Sequence, residues 1–287
     1  MPTFTSPEPI TAVLDLGVGD VRIIASDRAD TSVEITPSDP GDASDVKAAE
    51  AARVEFADGE LRIVGRKPGL LAGRRKSDAI NVVISLPTGS DLRAEAQMAD
   101  FRCAGRLGAT RIVAGFGALS IDACAELELK TGLGRVDVGL AEGATEITSG
   151  SGAVHVRVAD GPLVIRNSNG RTRIGTVTGE LRVKSANGDI GVDLAAGGAI
   201  LKSSNGAIRV AEAAGGPVEA DTALGDIEIG VRDGLAVWLD VSSSTGRFFN
   251  ELDESSAPAG DADPVKVRAH TQVGDIVVRR SHHADGD

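Results

Sequence analysis

Few residues in this chain have both the types and the spacing that chemistry requires. The histidines are His155, His270, His282 and His283. None stands at ligand spacing from a cysteine or glutamate, as a zinc site would demand. Serines are many, but no Gly-x-Ser-x-Gly elbow leads into a helical pattern, and spacing assembles no Ser-His-Asp set. A phosphate loop ending in Gly-Lys-Ser/Thr is absent. Cys103 and Cys124 read as free thiols, and Cys103 falls at an inward strand position where a thiol packs rather than attacks. Asp follows a turn glycine at Asp20, Asp189, Asp226 and Asp275, which could suggest calcium. Ala153, Arg171 and Ala207 interrupt that column and no Gly-Gly-x-Gly-x-Asp phrase occurs, so turn stabilisation is the better reading. The expectation is a protein that is not an enzyme and needs neither metal nor cofactor.

Two basic features remain. Arg66, Lys67, Arg74, Arg75 and Lys76 crowd one Gly- and Leu-containing loop and form a candidate anion contact. Lys130, Arg166, Lys184 and Lys202 recur as an outward stripe, diluted by Thr148 and by the nearby Glu128 and Glu146, which reads as mixed surface charge. The net charge of −12 opposes nucleic acid and anionic lipid on average, so no nucleic acid is expected and any membrane contact would be peripheral. Aromatics are only 2%, too few for base-stacking platforms. The opening MPTFTSPEPI has no basic and apolar leader pattern, and no run of ~18 apolar residues occurs, so the expected compartment is the cytoplasm.

These side chains hang on a repeat. SNG at Ser168–Gly170, ANG at Ala186–Gly188 and SNG at Ser204–Gly206 place their glycines 18 residues apart. With each turn residue called zero, the frame runs through Ala99, Gly117, Gly134, Gly152, Gly170, Gly188, Gly206, Gly225, Gly246 and Gly274. Apolar residues recur two and four after zero and five before it, a period-2 alternation on both sides of a turn. The fold predicted is all-β, a single-stranded β-helix (β-solenoid) with coils of about 18 residues and two short strands per coil. Three before zero stand Thr131, Ser149, Asn167, Ser185, Ser203, Thr222, Ser243 and Thr271. Parity turns them inward, so they are expected to form a structural ladder bonded to one another and to the turn.

Residues 1–90 read as N-terminal strands and a cap that begin the solenoid. Thr11–Leu16 and Val21–Ile23 alternate on either side of an expected turn at Gly17–Asp20, Ala43–Ala52 is a short Ala-rich helix, and Asp58-Gly59 is a turn. Gly19 and Gly59 fit the repeat frame through Val21, Ile23 and Leu61, Ile63. Residues 91–280 are the repeats, with an acidic, Pro-rich loop insertion at 251–264, and 281–287 is a disordered tail.

The phrases SNGAIRV, ANGDIGV, LGDIEIGV and VGDIVVRR, the opening LDLGVGDVRIIASDRADTSVEI and the middle INVVISLPTGSDLRAEA carry a resemblance. The chain resembles the bacterial toastrack family of β-strand repeats, also catalogued as candidate adhesins and as a domain of unknown function, over roughly Ile10 to Arg280. That resemblance implies a single-stranded β-helix and, in some relatives, association with membrane-linked stress-response modules as an assembly scaffold. It supplies no catalytic motif. The expected function is a non-catalytic intracellular scaffold or protein-interaction module, its partner an unknown protein or a second copy held through strand faces or solenoid ends. The alternative is a head-to-tail filament. A polysaccharide-acting or glycan-binding β-helix stands third, because it would need an aromatic-lined groove and, for hydrolysis, paired carboxylates.

Overall fold

The computed structural model describes residues 2–66, 78–252 and 264–281. They form an all-β protein with one helix, in two compact units, Met1–Gly150 and Ser151–Asp287. Pairing within the units is mostly parallel and solenoid-like.

The first unit contains β1 (Thr3–Thr5), β2 (Thr11–Ser26), β3 (Asp30–Pro37), α1 (Ala43–Ala51), β4 (Arg53–Ala57), β5 (Glu60–Val64) and β6 (Ala79–Pro87). β7 (Asp91–Phe116), β8 (Leu119–Leu133), β9 (Val136–Ala141) and β10 (Thr145–Ser151) complete it. β2 is the central strand, parallel to β7 on one side and to β5 and then β6 on the other. The turn expected at Gly17–Asp20 is therefore continuous strand. Glycine is needed there for a different reason: a Cβ on Gly19 would lie 2.0 Å from the Ile80 carbonyl oxygen.

Antiparallel strands cover the outer edge of this unit. β3 pairs with β6 and β1 with β3, while β4 pairs with β5. The Asp58-Gly59 turn joins β4 to β5 with both residues at positive φ, 50° and 75°, the backbone of a type I′ hairpin. It is a hairpin and not a repeat corner, so the frame drawn through Gly59 fails. Leu61 and Ile63 lie beside Ala12 and Leu14, whereas Val82 and Ile84 lie beside Val21 and Ile23. Asp42 caps α1 by accepting from the Ser44 N–H at 2.7 Å. The buried Asp45 carboxylate accepts from the N–H groups of Asp39 (3.1 Å) and Ala79 (2.9 Å), tying the helix to β6.

The second unit contains β11 (Val154–Ala159), β12 (Leu163–Asn169), β13 (Thr172–Val177), β14 (Leu181–Asn187), β15 (Ile190–Ala195) and β16 (Ala199–Asn205). There follow β17 (Ile208–Ala213), β18 (Val218–Leu224), β19 (Ile227–Val231), β20 (Val237–Thr245), β21 (Phe248–Glu251), β22 (Val265–Val273) and β23 (Ile276–Arg280). Each strand up to β17 pairs in parallel with the next but one, as in Leu163↔Leu181 and Val192↔Val210. The inward columns, among them Ile190, Ile208, Ile227 and Ile276, are at most 1% exposed. Burying each such side chain contributes about 1.5–3 kcal/mol.

Chain order and stacking order part company after β19. β22 lies between β18 and β20, and β23 between β19 and β21. The last strand pair in the sequence is thus inserted, and Val237–Glu251 becomes the outermost layer.

The corners explain the glycines. Gly170, Gly188, Gly206 and Gly225 have φ from 126° to 150°. A Cβ on any of them would lie 2.2–2.3 Å from the carbonyl oxygen of the preceding corner glycine. Gly188→Ala should therefore cost about 3 kcal/mol or more in chemical denaturation. Gly59→Ala, at positive φ but in open space, should cost about 1 kcal/mol, and Gly191→Ala, also in open space, should be neutral or mildly stabilising.

Candidate interaction surface

The corner sorts side chains into an inner and an outer set. Inside, the predicted ladder residues bond mostly to main chain, not to one another. Asn167 Nδ2 donates to the carbonyls of Gly152 (3.1 Å) and Gly170 (3.0 Å). Thr222 Oγ1 donates to Gly206 O at 3.0 Å, Thr271 Oγ1 to Gly225 O at 3.0 Å, and Ser243 Oγ to Gly274 O at 2.9 Å. Ser185 reaches Gly188 O at 3.4 Å. The hydroxyls of Thr131, Ser149 and Ser203 have no hydrogen-bond partner among the described residues. The acceptors are the corner carbonyls that the parallel ladder does not use, which explains why small donors recur at this position.

Outside, the residue just before each corner glycine projects into solvent. In the second unit Asn169, Asn187 and Asn205 form an amide ladder: Asn187 Nδ2 donates to Asn169 Oδ1 and Asn205 Nδ2 to Asn187 Oδ1, both at 2.9 Å, and Asn169 Nδ2 to Ser151 Oγ at 3.4 Å. In the first unit the same position holds Met98, Phe116 and Leu133, which are 51%, 51% and 53% exposed. Phe116 is in register with Leu133. Gly115 and Gly117 sit on the carbonyls of Gln97 and Ala99, which sets Phe116 over Met98. Beside this apolar ridge Gly115 and Gly132 leave bare main chain: a Cβ on Gly132 would stand 2.5 Å from Gly115 O. A contiguous exposed apolar row beside a smooth floor is the kind of surface that marks a contact site. The SNG and ANG phrases contain the asparagine ladder, and the repeat frame aligns Met98, Phe116 and Leu133 in the column before zero.

Two members of the outward basic stripe, Lys130 and Lys202, are neutralised locally. Lys130 Nζ lies 2.7 Å from Glu128, which also pairs with Arg111. Lys202 Nζ lies 2.6 Å from Glu219 and 3.0 Å from Asp221. The inserted β22 extends this row. His270 stands beside Asp221 in register on one side and beside Ser242 on the other, with Nδ1 to Ser242 Oγ at 2.8 Å. Spacing did not reveal this Ser-His-Asp neighbourhood because the reordered stack creates it. The three lie in line on an open sheet face and no hydrogen bond joins His270 to Asp221, so the row lacks the geometry of a nucleophilic triad.

Of the loop cations only Arg66 lies among the described residues, where it faces the buried Asp78 carboxylate at 3.9 Å. Lys67, Arg74, Arg75 and Lys76 lie outside them, as do most of the 251–264 insertion and the 282–287 tail. Asp column residues serve the corners: Asp189 Oδ1 accepts from the Ala207 N–H (3.1 Å) and Asp226 Oδ1 from the Asp275 N–H (2.8 Å). Among the described residues no three His, Cys, Asp or Glu side chains converge as metal ligands, and no helix is long and apolar enough to cross a membrane.

A model of the Toastrack DUF4097 family matches residues 13–279. The chain belongs to the toastrack family. Among solved structures, this toastrack chain is similar to a candidate adhesin from Bacteroides fragilis, at 14% identity, 96% of this chain and 95% of that chain covered, and a TM-score of 0.37. A candidate adhesin from Parabacteroides merdae is similar at 13% identity, 96% and 94% coverage, and a TM-score of 0.37. A candidate cell adhesion protein from Clostridium sporogenes is similar at 12% identity, 97% and 98% coverage, and a TM-score of 0.23. No curated protein matches the chain.

Both toastrack thiols are buried and free. Burial, then the neighbouring Cys124 and Asp122, pushes Cys103 up to about 12; burial, then Glu142, does the same to Cys124. A thiol reagent at pH 8 should leave the native protein unmodified and label both cysteines once it unfolds. Because the unfolded thiols ionise near 9 and the folded ones do not, stability should fall as pH rises from 9 towards 12, by about 1.4 kcal/mol per thiol per pH unit. Cys103→Ala should remove one thiol's share of that slope. On the ladder, Thr222→Val should cost roughly 1–2 kcal/mol in denaturant titration, whereas Thr131→Val, whose hydroxyl has no partner, should be nearly neutral.

Proposed function

We propose that this protein is a non-catalytic β-solenoid scaffold, with coils of about 18 residues laying down two strands each, that binds a protein partner through its corner ridge. The observation that carries this reading is the row Met98, Phe116, Leu133, half-exposed on a rigid parallel sheet beside a glycine floor. Apolar side chains that the fold could have kept polar, as it does at Asn169, Asn187 and Asn205, are retained where a partner can cover them. Two free buried cysteines agree with a cytoplasmic site of action. The association of some toastrack relatives with membrane-linked stress-response modules as an assembly scaffold, which the resemblance implies, supports a role in assembling such modules from the inner side of the envelope.

The test uses the full chain as bait in cross-linking capture from its own cells, beside the variant Met98→Ser/Phe116→Ser/Leu133→Ser. The expected result is a defined partner held by the natural chain and lost, at least tenfold in recovery, with the variant. The variant's denaturation midpoint should change little, because half-exposed side chains contribute little burial. Equal recovery with both baits would overturn the ridge as the binding surface. Turnover of any acidic or neutral glycan by the purified protein would overturn the non-catalytic reading.

A further inference from the structure

The outermost layer of the second unit is bare. β20 pairs only with β22, and β21 only with β23, among the described residues. Positions that are sealed in every other layer are open here. Phe248 occupies the column of Ile190, Ile208, Ile227 and Ile276, yet it is 44% exposed. Trp238 and Phe249 are 49% and 37% exposed. Neither strand carries the proline or lysine that natural edge strands use to repel pairing.

From these edges we infer that a second copy of this chain docks there, antiparallel and about a two-fold axis. Three observations select that occupant. The two bare edges belong to one layer folded around the Gly246 corner, so a single extended peptide can cover only one of them, while a second copy offers both at matching spacing. The outward face of β21 with its flank is self-complementary. Arg247, Phe249 and Glu251 alternate on it, Arg247 lies over the Phe249 ring at 5.1 Å, and antiparallel pairing about Phe249 sets each Arg247 opposite the other copy's Glu251. Pairing of β20 about Val241 likewise opposes no like charges, since Asp240 meets Ser242 and Trp238 meets Ser244. Finally, a head-to-tail filament would continue the parallel stack, and in the first unit the antiparallel β3 and β4, with α1, occupy the outer edges of β6 and β5, so no parallel layer is offered there for β20 and β21 to join. The bare layer of the second unit then closes by two-fold pairing with its own copy. This inference is independent of the ridge reading, since Met98, Phe116 and Leu133 take no part in it.

The experiment is sedimentation velocity of the full chain across a concentration series. The expected species is a dimer of the 29.3 kDa chain that does not grow further. Arg247→Glu and Glu251→Arg should each weaken dimerisation roughly tenfold, and the double swap should restore it. Phe249→Lys should give a monomer with an unchanged circular dichroism spectrum, and the ridge variant should remain dimeric. A monomer at every concentration, growth into rods, or a dimer indifferent to the Arg247 and Glu251 changes would each overturn the proposal.

Discussion

The structure depends on how closely one main chain can approach another at a corner. Stacked layers of parallel strand lie about 4.8 Å apart. At the corners the chain closes the remaining gap, so that a carbonyl oxygen of one layer occupies the space a Cβ of the next would need. Glycine is the residue that satisfies both the distance and the positive φ. Hydrogen bonding could be met by many sequences on the flat faces, and burial by any alternation of Val, Ile and Leu. The corner is what locks the layers into one register. A shift by one residue would place a side chain against a carbonyl at every level, and would also turn each apolar column outward.

The same corner creates the division between the structural and the available side chains. Turning sharply, it leaves corner carbonyls that the ladder does not use, and the residue three positions before a corner glycine reaches such a carbonyl, mostly that of the adjoining layer. At Asn167, Ser185, Thr222, Ser243 and Thr271 a small donor pairs with it, where an apolar residue would have no bond to offer. The residue immediately before the glycine is thrown outward instead, freed from the core. That position is therefore where the protein can choose its surface chemistry without disturbing its interior. It carries amides at Asn169, Asn187 and Asn205, and apolar side chains at Met98, Phe116 and Leu133 in the first unit and at Leu224 and Val273 in the second.

Much of this was legible in the chain itself. The 18-residue spacing of Gly170, Gly188 and Gly206 revealed the repeat because a corner constraint recurs with the layer and tolerates one residue type. The helix at Ala43–Ala51 was legible from composition, and the Asp58-Gly59 hairpin from turn chemistry. Its place in the stack was not, because a hairpin glycine and a corner glycine look alike in sequence and differ only in what surrounds them. Nothing lies within 4 Å of the space beside Gly59, whereas Gly188 faces a carbonyl at 2.3 Å. Gly19 misled in the opposite direction: it reads as a turn, but it is a glycine required by close approach within an unbroken strand. The neighbours of His270 were illegible for a third reason. Periodicity tells which column a residue joins and is silent on which layer it occupies.

One residue did encode the reordering. Four positions after the corner, every layer from Gly134 onward carries Ile or Val except one, which carries Asn250. In an interior layer that amide would be stripped of water with no partner, at a cost of roughly 1–3 kcal/mol. In the outermost layer it stays solvated, and Asn250 is indeed exposed. The segment 265–280, with Val267, Ala269, Ile276 and Val278 all at or near zero exposure, has no such defect and is suited to both of its neighbours. The order of the last two layers thus follows from which of them can bear water on one side. The layer that can bear water also carries Trp238, Phe248 and Phe249, so the desolvation penalty that places it outermost exposes these rings at the edge.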